Sequence, residues 1–230
     1  MTLRNAILTA AFWCVATAAA AAPGVTVMLD RTEEAMGLYL RMPATAAEPL
    51  FGRAPEGMTV GGIIDIDAMR EGTYEAGDAM FADVATTTQA GAIVFEALSV
   101  AVNRPTAAIP FEFPIDGDMA IAVCLVPDPG EALTFADVDL FAGFYAYPTD
   151  GYAALAVRFP ETGRDTLTVT VREFRDGDLI DVRSVALADG GTLDFAAPRR
   201  APGAIWVLSL LFGTVMAGGL AQRVVRRRRI

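Results

Sequence analysis

The sequence predicts a mainly β protein: an antiparallel β-sandwich ectodomain, with room for one short helix, followed by one C-terminal transmembrane helix. Three observations predict this class. Short apolar or alternating runs are separated by turn residues at near-regular spacing, as in β-sandwiches. The run 204–221 is uncharged, almost wholly apolar and long enough to cross a bilayer. The first 22 residues have the pattern of a secretory signal.

The signal pattern has three parts. Arg4 gives a short positive start, residues 6–16 form an apolar stretch, and the alanines at 18–22 offer small-x-small cleavage sites. We expect cleavage after Ala21 or Ala22. An uncleaved signal anchor is the alternative, but the apolar run is short and the alanines suit a peptidase.

The first half of the domain is predicted to consist of short strands joined by loops. The segment 44–59 contains two prolines and two glycines and is therefore expected to be a loop. The run 92–102 is apolar and suits either a helix or a strand. The other predicted elements are strands at 25–29, 36–42 and 61–66 and a short helix at 76–84.

The β pattern strengthens in the second half. The clearest hairpin pairs 166–171, where threonine alternates with aliphatic residues, with 179–187 across the Asp176-Gly177 turn. Asp-Gly is a favoured two-residue hairpin turn because both positions tolerate positive φ. The remaining predictions are a turn at 116–118, a buried strand at 119–126, and strands at 138–147 and 152–159.

The predicted transmembrane helix has one side built from small residues. Positions four apart lie nearly above one another on a helix. Small side chains allow two helices in a bilayer to approach closely, so this side is predicted to be a helix-packing face. The alternative is that small residues are simply frequent in membrane spans. The face consists of Ser209, Gly213, Ala217 and Ala221.

Arginines fix the predicted orientation. Five follow the span, whereas only Arg199 and Arg200 precede it, so the C-terminus is expected to be cytoplasmic. The domain then lies in the periplasm, anchored in a bacterial inner membrane, and its single cysteine, Cys124, has no partner for an intrachain disulfide. The five arginines are Arg223, Arg226, Arg227, Arg228 and Arg229. The predicted organisation is a signal at 1–22, the acidic domain at 23–197, a linker at 198–203, the span at 204–222 and a basic tail at 223–230.

Charge is distributed unevenly along the chain. All 28 acidic residues lie between Asp30 and Asp194, with ten arginines among them, so this part has a net charge of −18. Such a domain repels nucleic acid and anionic lipids and suits a basic protein or divalent cations, although solubility is the simpler explanation. Histidine is absent, which removes the commonest general base and metal ligand. We therefore predict no catalytic residue, no metal site and no cofactor.

Two groups of residues remain as candidate sites. Aromatic residues at Phe141, Tyr145, Tyr147 and Tyr152 are predicted to lie on neighbouring strands, and they form either core packing or a patch for a protein partner. Acidic pairs recur along the chain and suit turns and solvated strand faces, with a weak divalent ion site as the alternative. These pairs are Asp65/Asp67, Asp116/Asp118, Asp137/Asp139 and Asp176/Asp178.

The apolar span with arginines at its end resembles the C-terminal sorting signals of bacterial exosortase-type systems. Their short proline-containing motif is not matched by Arg199-Arg200-Ala201-Pro202. The sequence thus favours a non-enzymatic, membrane-anchored periplasmic accessory, assembly or scaffold protein that interacts with another envelope or membrane protein. One alternative, implied by the resemblance, is a surface or matrix protein with a cleavable tail. Another is a glycan-active enzyme that uses two carboxylates.

Overall fold

The structure, a computed structural model, describes residues 24–55, 57–107, 109–123, 125, 127–128 and 130–198. The predicted signal, most of the linker, the transmembrane helix with its packing face, the basic tail and Cys124 lie outside these residues. The described part is mainly β, which confirms the predicted class. Within it, no helix combines the length and apolar character that crossing a membrane requires.

The described strands and helices follow in chain order. The strands are β1 (Val25–Arg31), β2 (Met36–Pro43), β3 (Thr59–Val60), β4 (Ile63–Ile64), β5 (Ala85–Thr88), β6 (Gly91–Ala92), β7 (Glu96–Asn103), β8 (Asp139–Ala146), β9 (Leu155–Arg158), β10 (Leu167–Arg175), β11 (Asp178–Leu187) and β12 (Thr192–Phe195). The α-helices are α1 (Ala47–Phe51), α2 (Ile66–Phe81) and α3 (Pro114–Ala122).

Six strands form the principal sheet, in the order β11-β10-β1-β2-β8-β7. Its pairings are antiparallel except one, because β1 runs parallel to β10, with Val25 opposite Val169. The sheet is therefore mixed rather than wholly antiparallel as predicted. Hairpin partners occupy one side of each of these two strands, and parallel pairing of their free sides joins the start of the domain to its end.

The two faces of this sheet are covered differently. The inner face carries Val27, Leu38 and Val171, which belong to one apolar core together with Val157 and Leu193 of a second sheet. That second sheet has the order β12-β9-β5-β6, and α2 packs on the same side over β7. The outer face carries a second apolar cluster covered by α3 and the segment before it. This outer cluster contains Met28, Tyr39, Phe111, Ala120, Phe141 and Phe174.

Helix α3 corrects the strand predicted at 119–126, because residues 119–122 are helical. The turn predicted at 116–118 also lies inside this helix. Pro114 begins it, where its missing N–H costs nothing. The Asp116 carboxylate accepts the backbone N–H groups of Glu112 and Phe113 at 2.9 Å each, which fixes the entry of the chain into the helix. An apolar run of this length does not by itself distinguish a strand from a helix.

Other elements also differ from their predicted limits or type. The loop predicted at 44–59 contains α1, and the strand predicted at 61–66 is reduced to β4. Helix α2 begins at Ile66, well before the predicted start at 76, because Asp65 caps it by accepting the N–H of Ala68 at 2.8 Å. The ambiguous segment 92–102 contains strand β7, whose Val100 and Val102 are buried in the inner core. The predicted hairpin of β10 and β11 is confirmed, with φ of 54° at Asp176 and 82° at Gly177 in its turn.

Candidate functional site at the exit end of the sheet

The residues that follow β12 lie beside the last residue of β1. Arg31 Nη1 donates to the carbonyl of Ala196 at 2.8 Å, immediately after β12, and to that of Ala153 at 3.2 Å. Arg183 of β11 donates through Nη2 to the carbonyl of Asp194 at 2.7 Å. Two arginines from the principal sheet therefore hold the C-terminal end of β12 in place.

A buried carboxylate organises these two arginines. Arg31 is completely buried, and its Nη2 lies 2.6 Å from Oε2 of Glu173, itself only 5% exposed. Glu173 also pairs with Arg183, so one carboxylate serves both cations. Burial lowers the pKa of the Arg31 guanidinium, and Glu173 opposes that shift by favouring the charged form. We call Arg31, Glu173 and Arg183 the exit clamp.

Several tyrosines and acids lie at the same end of the principal sheet. In the register, Asp30 is opposite Gly37, which in turn is opposite Tyr145. The backbone N–H of Asp176 donates to the carbonyl of Arg31 at 2.9 Å, which brings the β10–β11 turn to this end. We call this region the exit end and define it by Asp30, Tyr145, Tyr147, Tyr152 and Asp176.

The exit end extends onto the outer face through a tyrosine pair. The buried hydroxyl of Tyr39 lies 2.7 Å from the hydroxyl of Tyr145 and donates to Asp118 Oδ1 of α3, also at 2.7 Å. The two rings meet edge to face, with centroids 6.1 Å apart. Burial, together with the hydrogen bonds to Tyr145 and Asp118, raises the pKa of Tyr39. Burial likewise raises the pKa of Tyr145.

Glycines create the space that this tyrosine pair occupies. A Cβ added to Gly117 of α3 would lie 2.6 Å from Cδ1 of Tyr39, so the helix reaches the ring only because position 117 has no side chain. A Cβ at Gly143 would likewise lie 2.8 Å from Ile121. The close contact of α3 with the outer face thus depends on two small positions, one on each element.

The other two tyrosines of the exit end differ in exposure. Tyr147 is 74% exposed, and its ring centroid lies 6.4 Å from that of Tyr145. Tyr152 donates to Asp176 Oδ1 at 2.6 Å, and the Arg175 guanidinium lies 4.3 Å from its ring centroid. The hydrogen bond to Asp176 raises the pKa of the Tyr152 hydroxyl. Tyr147 therefore offers a free aromatic surface, whereas Tyr152 is held by its neighbours.

Negative charge accumulates around these rings. Burial raises the pKa of Asp30, and repulsion from Asp176 and Asp118 adds to the effect, while the N–H of Gly177 opposes it. Asp176 is paired with Arg175, whereas no arginine is paired with Asp30 or Asp118 in the contacts of the described residues. A cation approaching the exit end would therefore be attracted.

The structure separates the predicted aromatic patch. Tyr145, Tyr147 and Tyr152 lie at the exit end, but Phe141 is 1% exposed and packs under Phe111 with centroids 5.7 Å apart. Phe141 therefore contributes to the outer cluster and not to a surface.

The predicted acidic pairs are used mainly for local structure. Asp65 and Asp116 cap helices, Asp137 accepts from Thr134, and Asp139 pairs with Arg41. Among the described residues, no group of three or more potential metal ligands is close enough to hold an ion.

Sequence reasoning missed the exit clamp and the Tyr39–Asp118 contact. One signal was present but was not used: the strand was predicted only at 25–29, and extending its alternation by two residues places Arg31 on the same face as Val27 and Leu29. Nothing local indicates that Asp118 and Tyr39, which are 79 positions apart, would meet. Comparison with models of known protein families and with curated proteins finds no significant match to this chain.

Proposed function

We propose that this chain is a non-enzymatic, membrane-anchored periplasmic accessory, assembly or scaffold protein that binds another membrane or envelope protein at its exit end. The observation that carries the proposal is the position of Ala196. The exit clamp holds this residue beside Arg31, and only residues 197–203 separate it from the apolar run at 204. Seven residues span at most about 25 Å, so a membrane-embedded run would keep the exit end near the bilayer.

The chemistry of the exit end supports a protein partner rather than lipid. Its carboxylates repel anionic head groups, whereas a basic protein surface would be attracted. Tyr147 adds an exposed aromatic ring beside Tyr145, and tyrosine is enriched at the centres of protein interfaces. A partner with a basic segment next to the same membrane fits both features.

The proposal includes the topology and the finer fold class. We propose that the signal at 1–22 is removed and that the domain at 23–197 is periplasmic and β-sandwich-like, its second sheet packed on the inner face of the first. The span at 204–222 would be held in the inner membrane by the five cytoplasmic arginines. A reporter fused after Ile230 should then be active only in the cytoplasm, and one fused after Ala196 only in the periplasm.

Site-specific photocrosslinking of the full-length protein in its native membrane tests the partner site. A photoreactive residue at Tyr147 should crosslink to one membrane or envelope protein, because this ring is exposed at the exit end. The control is Val60, which is 65% exposed and belongs to the small β3–β4 hairpin. The same product from both positions, or none from Tyr147, would contradict the proposal. A mature protein lacking the C-terminal arginines by mass spectrometry would favour the surface-protein alternative.

A further inference from the structure

Strand β11 forms a free edge of the principal sheet. It pairs with β10 on one side and, among the described residues, with no strand on the other. It is ten residues long, and its first five residues, Asp178 to Val182, are all exposed. The backbone N–H and C=O groups of such an edge can pair with another extended segment.

The edge lacks two of the common protections of an edge strand. Lysine and proline often protect such strands, and β11 contains neither, although it carries Asp178, Asp181 and Arg183. It instead exposes apolar side chains at Leu179, Ile180 and Val182, each between 45% and 49% exposed. A register shift occurs near Ile180, but residues 181–187 pair regularly with 167–173. A regular stretch thus remains available for pairing.

The unpaired charge along the edge is negative. Arg183 is the only cation of β11, and it is already engaged by Glu173, Asp181 and the Asp194 carbonyl. Asp176 in the preceding turn is likewise engaged, by Arg175 and Tyr152. Asp178 at the start of the strand has no ion pair among the contacts of the described residues, and it leaves an unpaired carboxylate where the edge begins. The charge of an incoming strand that complements this edge is therefore positive.

We propose that β11 accepts an extended segment of the membrane partner, in which apolar residues alternate with arginine or lysine, by β-strand addition. Main-chain hydrogen bonds would provide affinity, and the exposed apolar positions with the flanking aspartates would provide selectivity. The proposal rests on the proposed function and specifies how its partner binds. Because β11 begins at the exit end, the added segment would lie beside the membrane.

A second copy of this chain does not suit the edge. In an antiparallel pairing of two β11 strands around a twofold axis, the two exit ends would lie at opposite ends of the joined sheet. Both copies would nevertheless need their exit ends near one membrane, because the chain between Ala196 and the span is short. A separate partner avoids this conflict.

Hydrogen exchange of the full-length protein in nanodiscs tests strand addition. The probe is a short synthetic peptide that alternates valine with arginine and threonine. It should slow exchange in 178–187 while leaving 155–158 of β9 unchanged. Two matched peptides complete the design: one has alternate amides methylated, which removes the hydrogen bonds of one edge, and the other has glutamate in place of arginine. Neither should protect β11.

A charge reversal identifies the site. Asp178→Arg should raise the dissociation constant of the basic peptide about tenfold. The control Asp165→Arg makes the same change of charge at an exposed position before the opposite end of β10, and it should leave binding unchanged. Equal binding of the methylated or acidic peptide, equal effects of both reversals, or no protection of β11 would overturn strand addition. Protection that appears without peptide and rises with protein concentration would do so as well, because it assigns the edge to a second copy.

The two proposals fail separately. Crosslinking at Tyr147 without protection of β11 by the peptide overturns strand addition and leaves the partner proposal standing. Protection of β11 by the basic peptide without any crosslink at Tyr147 supports strand addition and contradicts the partner site at the exit end.

Discussion

Arg31 Nη1 donates to the carbonyl of Ala196 at 2.8 Å, which ties the end of the first strand to the residue that follows the last one. The same guanidinium is buried and paired with Glu173 at 2.6 Å. One side chain therefore pairs with an internal carboxylate and also holds the residue that follows β12.

Arg31→Met should lower the free energy of unfolding of the domain at 23–197 by about 3 kcal/mol, because it leaves Glu173 buried with only Arg183 as partner. Urea unfolding measures this change. The control is Arg53→Met, since Arg53 and its partner Asp83 are each nearly half exposed and such pairs contribute less than about 1 kcal/mol. Equal losses in the two variants would show that Arg31 acts through something other than its buried pair.

Gly117→Ala should destabilise the domain by about 1–3 kcal/mol although alanine favours helices, because its Cβ would meet the Tyr39 ring at 2.6 Å. The matched variant is Gly72→Ala in α2, where no atom lies within 4 Å of the added Cβ. That change should stabilise the domain by up to about 1 kcal/mol. Thermal unfolding compares the two, and a stabilising Gly117→Ala would mean that α3 does not lie against Tyr39 as described.

The stability of the domain should fall as the pH rises above about 10, the ordinary pKa of tyrosine. Burial raises the pKa of Tyr39, so the unfolded chain loses this proton at a pH where the folded protein keeps it. The contribution of Tyr39 to the free energy of unfolding is therefore fully present below about pH 10 and decreases above it. Tyr39→Phe should reduce this alkaline loss, and Tyr74→Phe at an exposed position of α2 is the control. Unfolding midpoints measured between pH 8 and about 11 test this prediction. The same decrease of the midpoint with pH in all three proteins would refute the role of Tyr39.

Acid should weaken the loop that Asp189 organises. Its carboxylate accepts the N–H groups of Thr162 and Gly163 at 2.8 and 2.9 Å and pairs with Arg164, and these contacts lower the pKa of Asp189. The resulting stabilisation is present above the ordinary aspartate pKa of about 4 and is lost as the pH falls through the lower folded value. Asp189→Asn should therefore flatten the dependence of the melting temperature on pH below about 4. Asp165→Asn, in the same connection between β9 and β10, should leave that dependence as in the unmodified domain.

The sequence by itself determined the class and the clearest local structure. Alternating threonine and aliphatic residues in 166–171 predict a strand with one solvent-exposed and one buried face. Asp176-Gly177 suits the positive φ values of the turn that follows. The apolar run at 204–221 and its arginines determined the expected topology in the same local way, because charge and hydropathy depend only on neighbouring residues.

Only the tertiary structure decided which distant residues meet. Residues 119–122 were predicted to be a strand because an apolar run fits either a strand or a helix. They form a helix because Asp116 caps its start and because the helix packs against the outer face of the principal sheet. The parallel pairing of β1 with β10 and the clamp from Arg31 to Ala196 join positions that are far apart in sequence. Such contacts form because buried charges and free strand sides must find partners, and a sequence pattern shows the need for a partner without showing which residue supplies it.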